Sequence, residues 1–375
     1  MFDLAKFYAG KRVLITGHTG FKGSWLALML NELGAQVHGY ALAPNTRPGL
    51  FEEADVASVL ASHHIADIRD YPRLATVVRE ARPELVFHLA AQPLVLRSYR
   101  EPRETYEVNV MGTVNVLEAI RGVESVRVCQ IVTSDKCYEN REWIYPYRES
   151  DRLGGADPYS NSKGCVELVV AAYRRSFFPV DKVGSHGVSV SSARAGNVIG
   201  GGDWAESRIL PDCIRALESG APIQVRDPDA VRPWQHVLDP LFGYARLAAM
   251  QWQETAAFAE AWNFGPLPGS QVQVRQVVEQ VIAEWGSGSW THVRSPVGSP
   301  KAAGTKHEAF LLQLDITKSM TQLGWRPMLD FSAAIGETVR WYRERSKAGS
   351  GFKGREACLR QIHEYFRLAR KTVPV

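Results

Sequence analysis

Glycines crowd the segment between the first strand and the first helix that this sequence predicts. The β-branched apolar run 12–16 predicts a strand, and the periodic apolar run 24–33, which ends at Gly34, predicts a helix. The turn between them reads Gly17, His18, Thr19, Gly20, Phe21, Lys22 and Gly23. Glycine is needed where a backbone must come close to a ligand, and the N–H groups that open a helix attract anions. The pattern therefore predicts a strand, a phosphate-binding turn and a helix.

The same alternation of strand and helix continues along the first half of the chain. Further strands are predicted at 36–42, 65–67, 85–91, 126–133 and 188–193, and further helices at 72–81, 107–122 and 160–177. Strands separated by helices of this length are joined by right-handed crossovers and pair in parallel. We expect an α/β fold with a Rossmann-type doubly wound parallel sheet.

The periodicity weakens after about residue 197, where glycines and prolines become frequent. We expect residues 1–197 to form a dinucleotide-binding domain and residues 198–375 a second, smaller α+β lobe that binds the substrate. The short apolar run 262–264 is predicted to return to the first sheet, so that the two domains are partly interleaved. The Gly, Ser and Pro content of 285–306 predicts a loop.

Composition narrows the class of protein. With 44 Lys and Arg against 40 Asp and Glu, and with no long basic run, nucleic acid is not expected as a partner. The five cysteines form no CxxC pair, which favours reduced thiols in a reducing compartment. No stretch of about 18 apolar residues occurs, and the first residues do not read as a signal peptide. We expect a cytoplasmic protein that does not span a membrane.

The sequence leaves the choice of dinucleotide open. An acidic residue after the second strand would bind the ribose of NAD, and an Arg there would bind the phosphate of NADP, but the segment 39–43 has neither. Lys22 and Arg47 are the nearest candidates for a phosphate, or are ordinary surface charges. Asp67 and its neighbour Ile68 are predicted beside the adenine, although Asp67 is equally well explained as a cap.

Tyr159 and Lys163 lie four residues apart near the start of a predicted helix, so they share one face. A neighbouring ammonium stabilises a phenolate, and we expect Lys163 to lower the pKa of Tyr159 for use as a base. Ser134, at the end of the fifth predicted strand, lies at the sheet edge where α/β folds bind ligands. Its hydroxyl would orient a substrate alcohol that loses a hydride to nicotinamide.

These residues together resemble the extended short-chain dehydrogenase/reductase superfamily. Longer motifs resemble the nucleotide-sugar 4,6-dehydratases, and among them those that act on CDP-glucose. The motifs are residues 16–23, 88–91, 109 with 112–113, 133–140, 157–164, 194–204, 232–237 and 307–309, and the resemblance runs from about residue 8 to about residue 345.

The resemblance implies a bound NAD that is regenerated in each cycle. The sugar is oxidised at C4, loses water across C5 and C6, and receives the hydride back at C6. Asp135 would then be the acid for the C6 hydroxyl, and Lys136 would stand at the position of the C5 base, where the dTDP-glucose enzymes carry Glu. The resemblance also implies cofactor contacts at Ala90 and Ala91 and substrate contacts at Asn197, Arg208 and Arg232.

The expected activity is that of a hydro-lyase that converts CDP-glucose to CDP-4-dehydro-6-deoxyglucose for deoxysugars of surface polysaccharide. An epimerase or reductase of the same fold, a dehydratase of another nucleotide sugar and a non-catalytic NAD-binding regulator are the alternatives. No metal site is expected, because the histidines show no ligand spacing. By resemblance, the chain assembles as a homodimer or homotetramer.

Overall fold

The computed structural model describes residues 3–267, 271–293 and 311–372, and the motif at 307–309 lies outside them. The strands, numbered in chain order, are β1 (Arg12–Thr16), β2 (Gln36–Ala41), β3 (Ser62–Ile65), β4 (Leu85–His88), β5 (Val128–Val132), β6 (Ser189–Ala195), β7 (Asn197–Ile199), β8 (Ile223–Val225), β9 (Val231–His236), β10 (Ala261–Phe264), β11 (Gln271–Gln273) and β12 (Trp290–His292).

The α-helices are α1 (Leu4–Tyr8), α2 (Phe21–Glu32), α3 (Leu50–Glu53), α4 (Tyr71–Ala81), α5 (Val95–Arg100), α6 (Pro102–Tyr106), α7 (Gly112–Arg121), α8 (Pro158–Ser176), α9 (Val183–His186), α10 (Ile209–Ser219), α11 (Leu238–Gln253), α12 (Thr255–Phe258), α13 (Val274–Trp285), α14 (Thr317–Thr321), α15 (Phe331–Ala348) and α16 (Gly354–Thr372). Short 3-10 turns occur at Val56–Val59, Asp135–Cys137, Val180–Lys182 and Gly349–Gly351, and Glu107–Met111 is π-helical.

One large sheet organises the described part of the chain, with seven parallel strands in the order β10, β6, β5, β4, β1, β2, β3. The chain runs from β1 outwards to β3 and then crosses back to β4 on the other side of β1. The carboxyl ends of β1 and β4 therefore flank a topological switch point, where open α/β sheets bind their ligands. The predicted Rossmann-type doubly wound sheet is confirmed.

Most predicted elements form within a few residues of their expected ends. The returning strand predicted at 262–264 is β10, which pairs in parallel with β6 at the sheet edge. The third strand was expected at 65–67 but covers Ser62–Ile65. The loop expected at 285–306 is wrong at its start, because Trp290–His292 forms β12 beside β8, and its part from 294 lies outside the described residues.

The smaller sheets lie beyond the switch point. In the described ranges β9 pairs with β7 and β11, and β8 pairs with β12. Helices α10, α13 and α15 cover them through an apolar cluster that includes Cys213, Val278 and Ile335. Helices α11 and α16 instead pack against α2 of the large sheet. The division into domains at residue 197 stays a prediction.

Among the helices that the structure describes, none has the length and apolar character needed to cross a bilayer. All five cysteines carry free thiols, and four of them are buried.

Candidate active site

A cleft of about 1180 Å³ opens at the carboxyl ends of the large sheet and extends to the smaller sheets. It brings together nearly every residue predicted for the site. Its lining includes Gly17, Gly20, Phe21, Lys22, Gly23, Asp67, Ile68, Ala90, Ala91, Ser134, Asp135, Lys136, Tyr159, Lys163, Asn197, Arg208 and Arg232.

His18 is the predicted cofactor residue that does not line the cleft. Its ring is buried below the turn, where Nε2 lies 2.7 Å from Nδ1 of His63. Gly39 leaves the space for this ring, since a Cβ on Gly39 would lie 2.5 Å from it. Burial and the neighbouring His63 lower the pKa of His18 to about 3, so the ring is neutral near pH 7. The structure therefore places the His18 side chain in the core rather than beside a cofactor.

The glycine turn forms a tightly closed cradle. Gly17 has a φ of +80°, and a Cβ there would lie 2.7 Å from the backbone nitrogen of Ala90. A Cβ on Gly23 would lie 2.1 Å from the carbonyl oxygen of Gly17. Gly20 is the N-cap of α2 and has no side chain that could accept hydrogen bonds from the first N–H groups of this helix. These N–H groups therefore stay available to a ligand in the cleft. This shape and the helix N-terminus fit a diphosphate.

Lys22 lies between this cradle and the catalytic residues. Its ammonium donates a hydrogen bond to the Tyr244 hydroxyl at 3.3 Å. Burial, with the positive charges of Arg208 and Lys163, lowers the pKa of Lys22 to about 7. A diphosphate bound at the N-terminus of α2 would favour the charged form of this lysine.

Asp67 and Ile68 line the cleft just after β3. The Asp67 carboxylate is already paired with Arg69, at 2.6 Å for the closest contact, which lowers the pKa of Asp67. The amide of Asn115 donates a hydrogen bond to the Ile68 carbonyl oxygen at 3.0 Å, which holds this turn against α7. Asp67 thus serves the local fold, and the position of both residues beside an adenine stays a prediction.

Helix α8 carries the Tyr159 and Lys163 side chains into the cleft. Asp157 caps the helix by accepting a hydrogen bond from the Ser160 N–H at 2.9 Å, and the Tyr159 N–H donates to the Ser98 hydroxyl at 3.1 Å. The Lys163 ammonium donates to the Val132 carbonyl oxygen at 3.3 Å. These contacts fix the first turn of α8 at the ends of β4 and β5.

The electrostatics of this pair differ from the expectation. Burial raises the pKa of Tyr159 to about 12, against the opposing effect of its hydrogen bond with Ser134. Burial also lowers the pKa of Lys163 to about 8, although the Glu167 carboxylate opposes the change. The expected lowering of the phenol pKa by Lys163 is not found, because burial dominates and the ammonium is bound to Val132. The positive charge of Arg208 also acts against burial and lowers the pKa of Tyr159.

The turn Asp135–Cys137 carries the other ionisable groups. Ser134 donates its hydroxyl hydrogen to Asp135 Oδ1 at 2.8 Å and accepts a hydrogen bond from the Lys136 N–H at 3.2 Å. Asp135 is only 2 % exposed, and its Oδ2 has no hydrogen-bond partner among the described residues. The Lys136 ammonium lies 3.5 Å from Asp135 Oδ1 and is 29 % exposed. A buried acid with a free oxygen is thus held beside an amine at the cleft wall.

A buried polar network behind the cleft was not predicted from sequence. The Asn109 side chain accepts a hydrogen bond from the Gln92 N–H at 2.8 Å and donates to the Ser162 hydroxyl at 2.9 Å. His88 contacts the Thr16 and Thr113 hydroxyls at 2.6 and 3.1 Å. Asn109 lies in the π-helical segment where a plain helix was expected, and such segments often occur at functional sites.

The three residues predicted to contact the substrate lie in or beside the smaller sheets. Arg208 is the N-cap residue of α10, and its guanidinium donates to Asp203 Oδ2 at 2.8 Å. Arg232 lies on β9, where its guanidinium donates to the Val231 carbonyl oxygen at 2.9 Å, and Asn197 begins β7. Trp234, which follows on β9, is mostly buried with the apolar residues of the smaller lobe, as predicted.

No cluster of three or more His, Cys, Asp or Glu with metal-ligand geometry occurs in the residues that the structure describes. Arg194 forms a buried ion pair, with its guanidinium 2.7 Å from the Glu167 carboxylate.

Comparison with known proteins gives a family for this site. The family model of GDP-mannose 4,6-dehydratase matches residues 14–338. A CDP-glucose 4,6-dehydratase of Salmonella typhimurium is 48% identical over 338 residues, which is 90% of this chain and 92% of the relative. A GDP-mannose 4,6-dehydratase of Vibrio cholerae is 30% identical over 285 residues, 74% of this chain and 72% of the relative.

A solved structure agrees with these relatives. The dTDP-glucose 4,6-dehydratase DesIV of Streptomyces venezuelae, solved with NAD bound, has a TM-score of 0.73 and 25% identity. The match covers 91% of this chain and 100% of that one. The chain therefore belongs to the GDP-mannose 4,6-dehydratase family, whose members here are nucleotide-sugar 4,6-dehydratases with a Rossmann-type sheet.

Proposed function

We propose that this enzyme is a hydro-lyase that uses bound NAD to convert CDP-glucose to CDP-4-dehydro-6-deoxyglucose and water. The observation that carries the proposal is the position of Asp135. Its buried carboxyl group, with Oδ2 unpaired among the described residues, lies beside Lys136 and one residue from Ser134, which hydrogen-bonds Tyr159. One cleft thus holds the groups for alcohol oxidation and those for eliminating water.

The glycine turn would hold NAD. Its fit rests on the close approach of Gly17 to Ala90, the missing Cβ of Gly23 and the N-terminus of α2. When bound, NAD supplies a hydride acceptor and donor and the positive charge of nicotinamide. That charge would favour the phenolate of Tyr159, whose pKa burial raises to about 12.

Tyr159 would remove the proton from the sugar C4 hydroxyl, which Ser134 orients, while the hydrogen on C4 leaves as a hydride to the bound dinucleotide. The C4 carbonyl that results acidifies the C5 proton, because the carbanion formed at C5 is delocalised as an enolate. Lys136 would accept this proton, while Asp135 donates a proton to the C6 hydroxyl so that it leaves as water. When the hydride returns to C6, Lys136 would give its proton, exchanged with solvent, to C5. Asp135 would then regain a proton from solvent, and Tyr159 would release one to it.

The nucleotide diphosphate would bind toward the smaller sheets. Arg208 and Arg232 supply planar guanidinium groups suited to phosphate oxygens, and Asn197 supplies an amide beside them. The CDP-glucose specificity is supported by the relative from Salmonella typhimurium, which is named for that substrate and is more similar to this chain than the relatives named for GDP-mannose or dTDP-glucose. Lys136 also supports this choice, because the dTDP-glucose enzymes are expected to carry Glu there.

We further propose that residues 1–197 form the cofactor domain and 198–375 the substrate lobe, and that the enzyme acts in the cytoplasm as a homodimer or homotetramer. The five free thiols support a reducing compartment.

The test is proton NMR of the purified enzyme with CDP-glucose and catalytic NAD in deuterated water. A new C6 methyl signal, deuterium at C5 and no net reduction of NAD are expected. A change of configuration at C4 without a methyl signal would overturn the proposal in favour of an epimerase. Turnover of dTDP-glucose or GDP-mannose but not CDP-glucose would retain the reaction and overturn the substrate.

A further inference from the structure

Helix α8 presents a third ionisable residue on the face that carries Tyr159 and Lys163. Glu167 follows Lys163 by four residues, and the three side chains are 8 %, 6 % and 2 % exposed. Glu167 does not line the cleft, so it lies beneath the site rather than in it. A carboxylate buried this deeply is costly unless its partners satisfy it, and its partners therefore show what it does.

The partners of Glu167 belong to the two neighbouring strands β5 and β6: Thr133 directly follows β5, and Ser192 and Arg194 lie on β6. The carboxylate accepts hydrogen bonds from the Thr133 hydroxyl at 2.5 Å and the Ser192 hydroxyl at 2.7 Å, and it pairs with Arg194 at 2.7 Å. Thr133 directly precedes Ser134, Asp135 and Lys136. Glu167 thus connects the helix of Tyr159 and Lys163 to the start of the segment that carries the acid.

Arg194 makes the matching connection at the other end of that segment. Its second guanidinium nitrogen donates to the Tyr138 hydroxyl at 2.7 Å and to the Glu149 carbonyl oxygen at 3.0 Å. Tyr138 directly follows the turn Asp135–Cys137, and its hydroxyl in turn donates to Asn263 at 2.8 Å. One buried ion pair therefore holds both ends of the short turn that bears Asp135 and Lys136.

We propose that the Glu167–Arg194 ion pair is a positioning device that sets Asp135 and Lys136 against Tyr159 and Lys163. The proposal rests on the proposed function, in which oxidation at C4 and elimination across C5 and C6 must use one pose of one sugar. An apolar pair of similar volume would fill this space at less electrostatic cost, but it would not bind Thr133 and Tyr138 at once. The pair acts through other residues and touches no substrate.

A positioning role and a purely structural role can be distinguished by the reaction step that a variant slows. Oxidation at C4 requires Tyr159, Lys163 and Ser134, whereas elimination also requires the turn of Asp135 and Lys136. Loosening the ion pair should therefore slow elimination more than oxidation. Reduced nicotinamide should then accumulate during turnover, and its near-ultraviolet absorbance would report this directly.

The experiment compares Glu167→Gln, Thr133→Val and Thr133→Ser in the full-length enzyme. Gln keeps the size of Glu167 but removes its charge, and Val keeps the shape of Thr133 but removes its hydroxyl. We expect Glu167→Gln to lower kcat about tenfold to a hundredfold while KM for CDP-glucose changes less than about twofold. Thr133→Val should show a smaller fall of the same kind, and Thr133→Ser should match the wild type.

Glu356→Gln is the matched control, because Glu356 on α16 forms an exposed pair with Lys353 and does not line the cleft. It should leave kcat, KM and the absorbance unchanged. If Glu167→Gln fails to fold in circular dichroism, Thr133→Val, which keeps the ion pair, carries the test alone. A fall in kcat with no accumulation of reduced nicotinamide, or a rise in KM alone, would overturn the proposal. Absence of the methyl product with the wild-type enzyme would instead overturn the proposed function.

Discussion

The two ends of the cleft are built in different ways. At the cofactor end, the surface is mostly backbone from one short stretch, Gly17–Gly23, closed against Ala90. At the substrate end, the charged side chains Arg208 and Arg232 come from separate elements of the smaller lobe. The first end would recognise its ligand by shape and by N–H groups. Its backbone is packed so closely that almost no atom can be added. The second recognises it by charge, which a single substitution weakens without changing the shape.

Asp135 lies where the two ends meet, and its loss should have the largest effect on turnover. Asp135→Asn keeps the hydrogen bond from Ser134 but cannot supply an acidic proton to the C6 hydroxyl. We expect kcat to fall about a thousandfold. Calorimetry should find the binding of NAD and CDP-glucose unchanged, because neither end of the cleft depends on this proton. Asp151→Asn, at a surface pair with Arg148, is the control, and full turnover by Asp135→Asn would refute the acid role.

The shape of the cofactor end predicts a large effect from one methyl group. A Cβ on Gly23 would lie 2.1 Å from the Gly17 carbonyl oxygen, so Gly23→Ala must displace the turn. We expect a cost of about 3 kcal/mol, or about a hundredfold weaker NAD binding in a fluorescence titration. Gly122→Ala, which meets nothing within 4 Å, should bind NAD normally. Normal NAD binding by Gly23→Ala would show that this end does not select by shape.

The charge of the substrate end predicts a smaller and different effect. Arg208→Gln removes a guanidinium that lies 2.8 Å from the Asp203 carboxylate, so Asp203 loses this ion pair. We expect KM for CDP-glucose to rise about tenfold, with kcat changed much less, because a charged hydrogen bond contributes about 1.5–3 kcal/mol. NAD affinity should change by less than about threefold, through the effect of Arg208 on the charge of Lys22. A fall in kcat at constant KM would assign Arg208 to the chemistry instead, and Arg121→Gln on the outer surface controls for loss of charge.

The smallest predicted effect is a pH dependence at the cofactor end. The pKa of Lys22 is about 7, so below that pH the charged ammonium attracts the diphosphate, and above it this attraction is lost. We expect the Kd of NAD to rise about threefold between about pH 6 and about pH 8, and Lys22→Met to bind NAD with no such change. His18, with a pKa of about 3, does not titrate in this range. The same pH dependence in Lys22→Met would exclude Lys22 as its source.

Sequence patterns predicted the fold well because its signals are local. Most strands and helices of the large sheet have an apolar run, and the crossover rule then requires parallel pairing. The exception is β3, which contains two histidines and was expected three residues too late. Even the return of β10 to the edge beside β6 was visible as the short apolar run 262–264. The smaller lobe was less predictable, because strands of three residues such as β12 carry too little periodicity to be distinguished from a loop.

The sequence predicted those parts of the candidate site in which residues close together in the chain share one surface. Tyr159 and Lys163 follow helical spacing, and Ser134, Asp135 and Lys136 are consecutive, so the chain itself brings them together. The motif that predicted His18 as a cofactor contact contains residues that line the cleft, but the His18 side chain itself faces the core. Nothing in the motif reveals that Gly39, on another strand, leaves room for its ring.

The sequence by itself determined the parallel sheet and the glycine turn and predicted the catalytic groups, since each depends on spacing along one segment. Only the tertiary structure decided how those groups are held and charged. The pKa of Tyr159 near 12 results from burial by distant segments, which no spacing encodes. The ion pair of Glu167 and Arg194 likewise joins residues 27 positions apart. Burial and long-range pairing arise only when separate elements pack, and they set the conditions under which the catalytic residues act.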